Sequence, residues 1–386
     1  MLKMTLPVVL ATLILSVGTD ATAQVPVPAP PSTGATSYVL VDFHSETALA
    51  EMDAHAPVEP ASITKLMTSY VAFREIASGN LSLDDEVLVS EKAWRTEGSR
   101  MFIEVGNRVR VEDLLKGIII QSGNDASVAI AEHIAGDEQV FASMMNEAAA
   151  RLGMTGTQYA NSTGLPHPDQ YTTAADSALL ARALISEFPD FYAWYSEREF
   201  TYAGIRQHNR NRLLWRDPSV DGLKTGHTSS AGYCLVTSAS RDGMRLISVV
   251  MGTDSEEARA TASQALLNYG FRFFETYQLY DAGAEISREQ VWKGEVDELP
   301  LALEQDLFVT IQRGRYDELQ ASLELPERLT APVAAGGVVG ELVVRLDGEV
   351  VVRRPLVALV DVEQAGFFGR TSDSVRLWLD GLFGDD

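Results

Sequence analysis

Apolar positions recur with two different periods along this chain, and the changeover divides it into a helix-rich first part and a strand-rich last part. The run Tyr38, Val39, Leu40, Val41, Asp42 predicts a short strand. After Pro60, the residues Leu66, Met67, Tyr70, Val71 and Phe73 fall three or four apart, which predicts a helix over 62–76 with one buried face and Ser62 at its start. Helical patterning returns between 111 and 150, where Ile118, Ile119 and Ile120 lead into Ser122-Gly123-Asn124 and a second helical stretch leads out. From 233 the pattern becomes two β-rich runs, 233–239 and 244–252, separated by Ser240-Arg241-Asp242-Gly243 and read as a hairpin. Lys224-Thr225-Gly226, just ahead of them, is expected on or near the first strand of that hairpin. A helical stretch over 258–274 would pack back on the sheet. The expectation is an α/β first domain over 38–280.

From about 286 to 362 the character is β throughout. Asp347-Gly348 separates two Val-rich runs, and a type I′ hairpin turn needs positive φ at both central residues, which Asp-Gly tolerates. A small all-β domain over 286–365 follows.

The two ends read differently. Lys3, the apolar stretch from Leu6 to Val17 and Ala21-Thr22-Ala23 make residues 1–23 an export signal, since the apolar run is shorter than the ~20 residues a membrane span requires. Residues 24–37, rich in Pro, Ala, Ser and Thr, read as an extended tether. Residues 370–386 place Val375, Trp378, Leu379, Leu382 and Phe383 on one face of an amphipathic helix. Peripheral contact with the outer face of the cytoplasmic membrane and docking on protein both stay open for it. Membrane-surface helices ordinarily carry cations, whereas here Asp373, Asp380, Asp385 and Asp386 outnumber Arg370 and Arg376.

A net charge of -23 argues against general affinity for nucleic acid or anionic lipid, so an anionic substrate would have to be held by local cations. Cys234 is the only cysteine, which excludes an internal disulfide, and its apolar neighbours make it a buried structural thiol. The six histidines show no His-Glu-x-x-His or paired ligand spacing, so neither a metal nor a cofactor is expected.

Candidate chemistry resides in three short motifs: Ser62-Ile63-Thr64-Lys65, Ser122-Gly123-Asn124 and Lys224-Thr225-Gly226. Two of the six lysines of the chain lie in them. Serine and lysine three residues apart on a helix share a face, so Lys65 is a base within reach of the Ser62 hydroxyl. To act so it must be neutral, which requires burial and a nearby cation to lower its pKa by roughly three units; Lys224 is the candidate cation. Ser-Gly-Asn occurs twice. Ser78-Gly79-Asn80 falls where the first helix ends and reads as a glycine cap, leaving Ser122 and Asn124 as the pair presented to a cleft. Gly226 would let a substrate backbone approach the strand as an added strand.

In this order, at separations of about 60 and 102 residues, the three motifs resemble those of the penicillin-recognising serine enzymes. The longer runs Pro60-Ala61-Ser62-Ile63-Thr64-Lys65-Leu66-Met67-Thr68, Asp221-Gly222-Leu223-Lys224-Thr225-Gly226-His227-Thr228 and Tyr269-Gly270-Phe271-Arg272-Phe273-Phe274-Glu275 are similar to the low-molecular-mass D-alanyl-D-alanine carboxypeptidases. The resemblance implies a catalytic domain of antiparallel sheet and helical cluster, a trailing β-domain, and a periplasmic hydrolase that trims the peptidoglycan stem peptide through an acyl-enzyme and is inhibited by β-lactams. It further implies Ser62 as nucleophile, Lys65 as general base and Ser122 as proton relay. Asn124 would hold the substrate amide, backbone N–H groups of Ser62 and His227 would form the oxyanion hole, and Lys224, Thr225 and Arg259 would bind the terminal carboxylate. Ser122 coupled to Lys224 stays open as an alternative acylation base.

Two rivals share the motifs: an endopeptidase on cross-linked peptidoglycan, and a non-enzymatic cell-wall scaffold. Intact Ser62, Lys65, Ser122, Asn124 and Lys224 weigh against the scaffold. No Glu-x-x-Leu-Asn occurs between Asn124 and Lys224, which weighs against rapid β-lactam hydrolysis.

Overall fold

The computed structural model of the protein describes residues 27–366; the expected export signal and the expected helix at 370–386 lie outside the described residues. Five antiparallel strands form the central sheet: β1 (Ser37–Asp42), β2 (Ala48–Met52), β3 (Val220–Thr228), β4 (Gly232–Arg241) and β5 (Met244–Thr253), in the order β2-β1-β5-β4-β3. Asp242 and Gly243 both take positive φ (49° and 85°) in the tight turn from β4 to β5. Lys224-Thr225-Gly226 lies beside the first strand of that hairpin, as expected, though not in it. It occupies a strand of its own, β3, paired Lys224↔Val236 and Gly226↔Cys234 at the edge of the sheet. Its glycines, lysine and threonines interrupt the apolar alternation that marks the other strands, so the pattern alone does not show it.

One face of the sheet carries a long helix, Glu256–Phe273, whose Leu266 and Leu267 pack on Leu40, Leu235, Leu246 and Val250. The other face carries the helical cluster, with α1 (Thr64–Ala77) at its centre. Here the sequence expectation needs correction: α1 does not bury one face, because all ten residues from Thr64 to Phe73 are buried. Helices surround it on the side away from the sheet. Polar side chains on α1 are therefore forced indoors, and Thr68 Oγ1 donates to Ser162 O at 2.7 Å.

The tether is not loose at its described end. Val27 packs against the second core cluster, Tyr269 donates its hydroxyl proton to Pro28 O at 3.1 Å, and Thr36 N donates to Met251 O. The β-domain has its own core of Leu299, Leu301, Leu342, Val344 and Leu356 within a six-stranded sheet. Asp347 and Gly348 take φ of 53° and 81° between its longest strands, Val338–Leu346 and Glu349–Ala358, as a type I′ turn requires. Residues Phe274–Tyr280, read from the sequence as the end of the first domain, form a strand that pairs with Leu307–Gln312. This ribbon also touches the first domain: Thr276 Oγ1 donates to Asp42 Oδ2 at 2.6 Å, and His44 stacks on Phe308.

Candidate active site

All three motifs meet at one cleft of about 390 Å³ between the edge strand β3 and the helical cluster. Ser62 sits on a 3₁₀ turn, Ala61–Ile63, directly before α1. A Cβ on Gly226 would come within 3.2 Å of Ala61 Cβ, Ile63 Cγ1 and Pro60 O. Glycine therefore brings β3 against the turn that carries Ser62, a use the sequence reading did not foresee. A second glycine closes the other side: a Cβ on Gly164 would lie 1.8 Å from Ala61 O, and its φ is +82°.

Lys65 is wholly buried one helical turn after Ser62. Its Nζ donates to Ser62 Oγ (3.0 Å), Asn124 Oδ1 (2.6 Å) and Thr163 O (2.5 Å). Burial, then the charge of Arg210, pulls its pKa down to about 7, against an opposing effect of Asp125. Lys224, also buried, is pushed well below the ordinary lysine value by burial first and then by Lys65, Arg210 and Arg259. The cation that most depresses Lys65 is thus Arg210, where the sequence pointed to Lys224. Arg210 lines the cleft and lies outside every motif.

Ser122 follows a π-helical turn, Gly117–Gln121, and takes a left-handed conformation (φ 65°) that is costly for a non-glycine residue. Its hydroxyl is buried and has no hydrogen-bond partner among the described residues. Asn124 opens the next helix, Asn124–Ala135, and donates through Nδ2 to Glu97 O at 2.6 Å.

Thr225 and Gly226 line the cleft, and Lys224 Nζ donates to Thr225 O at 3.1 Å. Arg259 is no surface ion-pair residue: it is 5% exposed, donates to Gly226 O at 2.9 Å and lies over the Tyr233 ring. His227 is exposed at the end of β3, and its ring stacks on the Tyr233 ring with centroids 4.0 Å apart. Sequence reasoning missed Arg210, the Thr163 carbonyl and Tyr233, because none carries a motif and each reaches the cleft only through folding. Cys234 is fully buried and its thiol is raised to about 11, as a structural residue should be. Ser78 caps α1 and Gly79 takes positive φ, as the cap reading requires.

A cleft with a buried amine on a serine hydroxyl and further cations beside it can attack a carbonyl next to a carboxylate. Comparison with known proteins agrees with that chemistry. The chain matches the D-alanyl-D-alanine carboxypeptidase family over residues 23–255 and the penicillin-binding protein 5 C-terminal domain over 274–364. The D-alanyl-D-alanine carboxypeptidase DacC of Escherichia coli (strain K12) is 44% identical, covering 92% of this chain and 90% of its own. The solved structure of penicillin-binding protein 5 from Haemophilus influenzae superposes with a TM-score of 0.86 at 41% identity, covering 87% of this chain and 100% of that one. Penicillin-binding protein D2 of Listeria monocytogenes, solved in its ampicillin-bound form, is 29% identical with a TM-score of 0.57, covering 62% and 98%. The chain belongs to the D-alanyl-D-alanine carboxypeptidase family, of the penicillin-binding protein 5 type.

Proposed function

We propose that the cleft removes the terminal D-alanine from a peptidoglycan stem peptide ending in D-Ala-D-Ala, by way of an ester on Ser62. The observation that carries this reading is the fully buried Lys65 amine 3.0 Å from Ser62 Oγ, with a pKa brought down to about 7. Neutral Lys65 takes the Ser62 proton as Oγ bonds to the carbonyl carbon of the penultimate residue. N–H groups of Ser62 and His227 receive the oxyanion, each donor worth ~3 kcal/mol in such sites. The C–N bond breaks, Ser122 passes a proton to the leaving amine, and water then hydrolyses the ester. Asn124 holds the substrate amide. Lys224, Thr225 and Arg259 hold the terminal carboxylate, joined by Arg210, whose place in the cleft lining supports that role. A β-lactam acylates the same serine but leaves no departing amine, so the adduct persists.

Release of free D-alanine from a pentapeptide by the mature protein, with Ser62→Ala as control, tests this. Release that vanishes in the control supports it. A folded, penicillin-acylated protein that releases none sinks it in favour of cross-link cleavage. Export to the periplasm and contact of 370–386 with the membrane surface rest on the sequence; recovery of the full chain, but not of one ending at Gly366, with periplasm-facing membranes is the outcome that supports the second.

A further inference from the structure

One buried charge beside the cleft has no role in that mechanism: Asp125, 1% exposed, forms no ion pair among the described residues. Its Oδ1 accepts from Met101 N (3.0 Å) and from Ala126 N (2.9 Å), and its Oδ2 accepts from Phe102 N (3.0 Å) and Ile103 N (3.3 Å). A single carboxylate thus satisfies three successive N–H groups of a segment with no regular secondary structure. The segment needs such holding, because Phe102 takes φ of 71°, unfavourable for a bulky residue. The same stretch of chain fixes Asn124. Asn124 N donates to Ser99 O at 2.7 Å and its Nδ2 donates to Glu97 O at 2.6 Å, while Gly98 and Ser99 form part of the cleft wall.

We propose that Asp125 is a positioning residue: by clamping 101–103 it holds 97–99 in place, and through Glu97 O and Ser99 O it sets the orientation of the Asn124 amide toward Lys65 and the substrate. The proposal rests on the acyl-enzyme reading of the cleft. Two arms orient the amide, Lys65 on Oδ1 and Glu97 O on Nδ2, and only the second depends on the clamp. Asn at 125 would keep one acceptor but turn an NH₂ group toward the N–H groups of Phe102 and Ile103, donor against donor, at nearly unchanged volume.

The test is Asp125→Asn in the full chain, with penicillin acylation and amide hydrogen exchange as readouts. Acylation is expected to fall ~10²-fold, the scale of a 1 Å misplacement in a catalytic site. Exchange at 101–103 rises, and in an Asn124→Ala background the same substitution costs much less, since its target is gone. The acid limb of the pH–rate profile also moves to lower pH. Arg210 and Lys224 face Lys65 as cations, Asp125 is the carboxylate that opposes them, and removing it lets the amine lose its proton sooner. That shift reports the lost charge alone; the Asn124→Ala comparison and the exchange at 101–103 report the positioning. Wild-type acylation by Asp125→Asn, or equal losses in both backgrounds, overturns the proposal. If Asp125→Asn does not fold, Asp125→Ser, which keeps one acceptor, carries the same comparison. Absence of D-alanine release by the wild type would sink the carboxypeptidase reading alone, because acylation and exchange are read without it.

Discussion

The cleft and the β-domain treat positive charge in opposite ways. In the β-domain three arginines face exposed carboxylates: Arg315 with Glu318 and Asp347, Arg345 with Glu324, and Arg353 with Glu324 and Glu341. In the cleft, Lys65, Lys224 and Arg259 are buried, and Arg259 spends one N–H on a backbone carbonyl while the lysines crowd one another. Desolvating cations costs several kcal/mol per ion, and the nearest carboxylates, Asp125 and Glu256, make no ion pair with these three, so folding alone would not select this cluster. The comparison teaches that the cleft is held in a destabilised state that a substrate carboxylate, or loss of a proton from Lys65, relieves. The β-domain stores no such strain.

Breaking the cleft at its base should have the largest effect. Lys65→Met is expected to slow acylation by ~10³-fold, within the range of general-base removal, while the protein stays folded; penicillin-adduct formation followed by mass spectrometry measures it. Arg210→Gln comes next, and it sharpens the comparison because two consequences differ in kind. Loss of a charge-assisted contact should raise KM for a carboxylate-terminated peptide by ~10-fold or more. Lys65, freed of its main opposing cation, should then hold its proton to higher pH. With neutral Lys65 as the proposed base, the wild-type rate should rise with pH and be half-maximal near 7, and the variant's midpoint should lie above that.

Lys224→Met reverses the sign for stability: it removes a buried amine whose charged form is disfavoured by burial and by Lys65, Arg210 and Arg259, so the melting temperature should rise while acylation falls. Thermal unfolding beside an activity assay decides it, and a lowered melting temperature would contradict the strained-cleft account. Arg353→Ala is the smallest. An exposed pair contributes little, so acylation should be unchanged and the melting temperature nearly so.

Much of this was legible in the order of residues. The Asp-Gly turns, the capped end of α1, the burial of Cys234 and the position of Ser62 one turn before Lys65 depend on local conformational preference and spacing, which a linear text carries. The motif strand was harder, because Gly226 is present for contact with Pro60, Ala61 and Ile63, and a glycine chosen for close approach weakens the very pattern that would announce a strand.

By itself, then, the sequence determined the family of chemistry and the candidates for nucleophile and base, since these need particular side chains at fixed separations. Only the tertiary structure decided how acidic Lys65 is, which cation makes it so, and where Arg259 and Asp125 lie. Those properties come from desolvation and from Coulomb interactions that fall off with distance in space, and residues such as Lys65 and Arg210 become neighbours only when the helical cluster closes on the sheet.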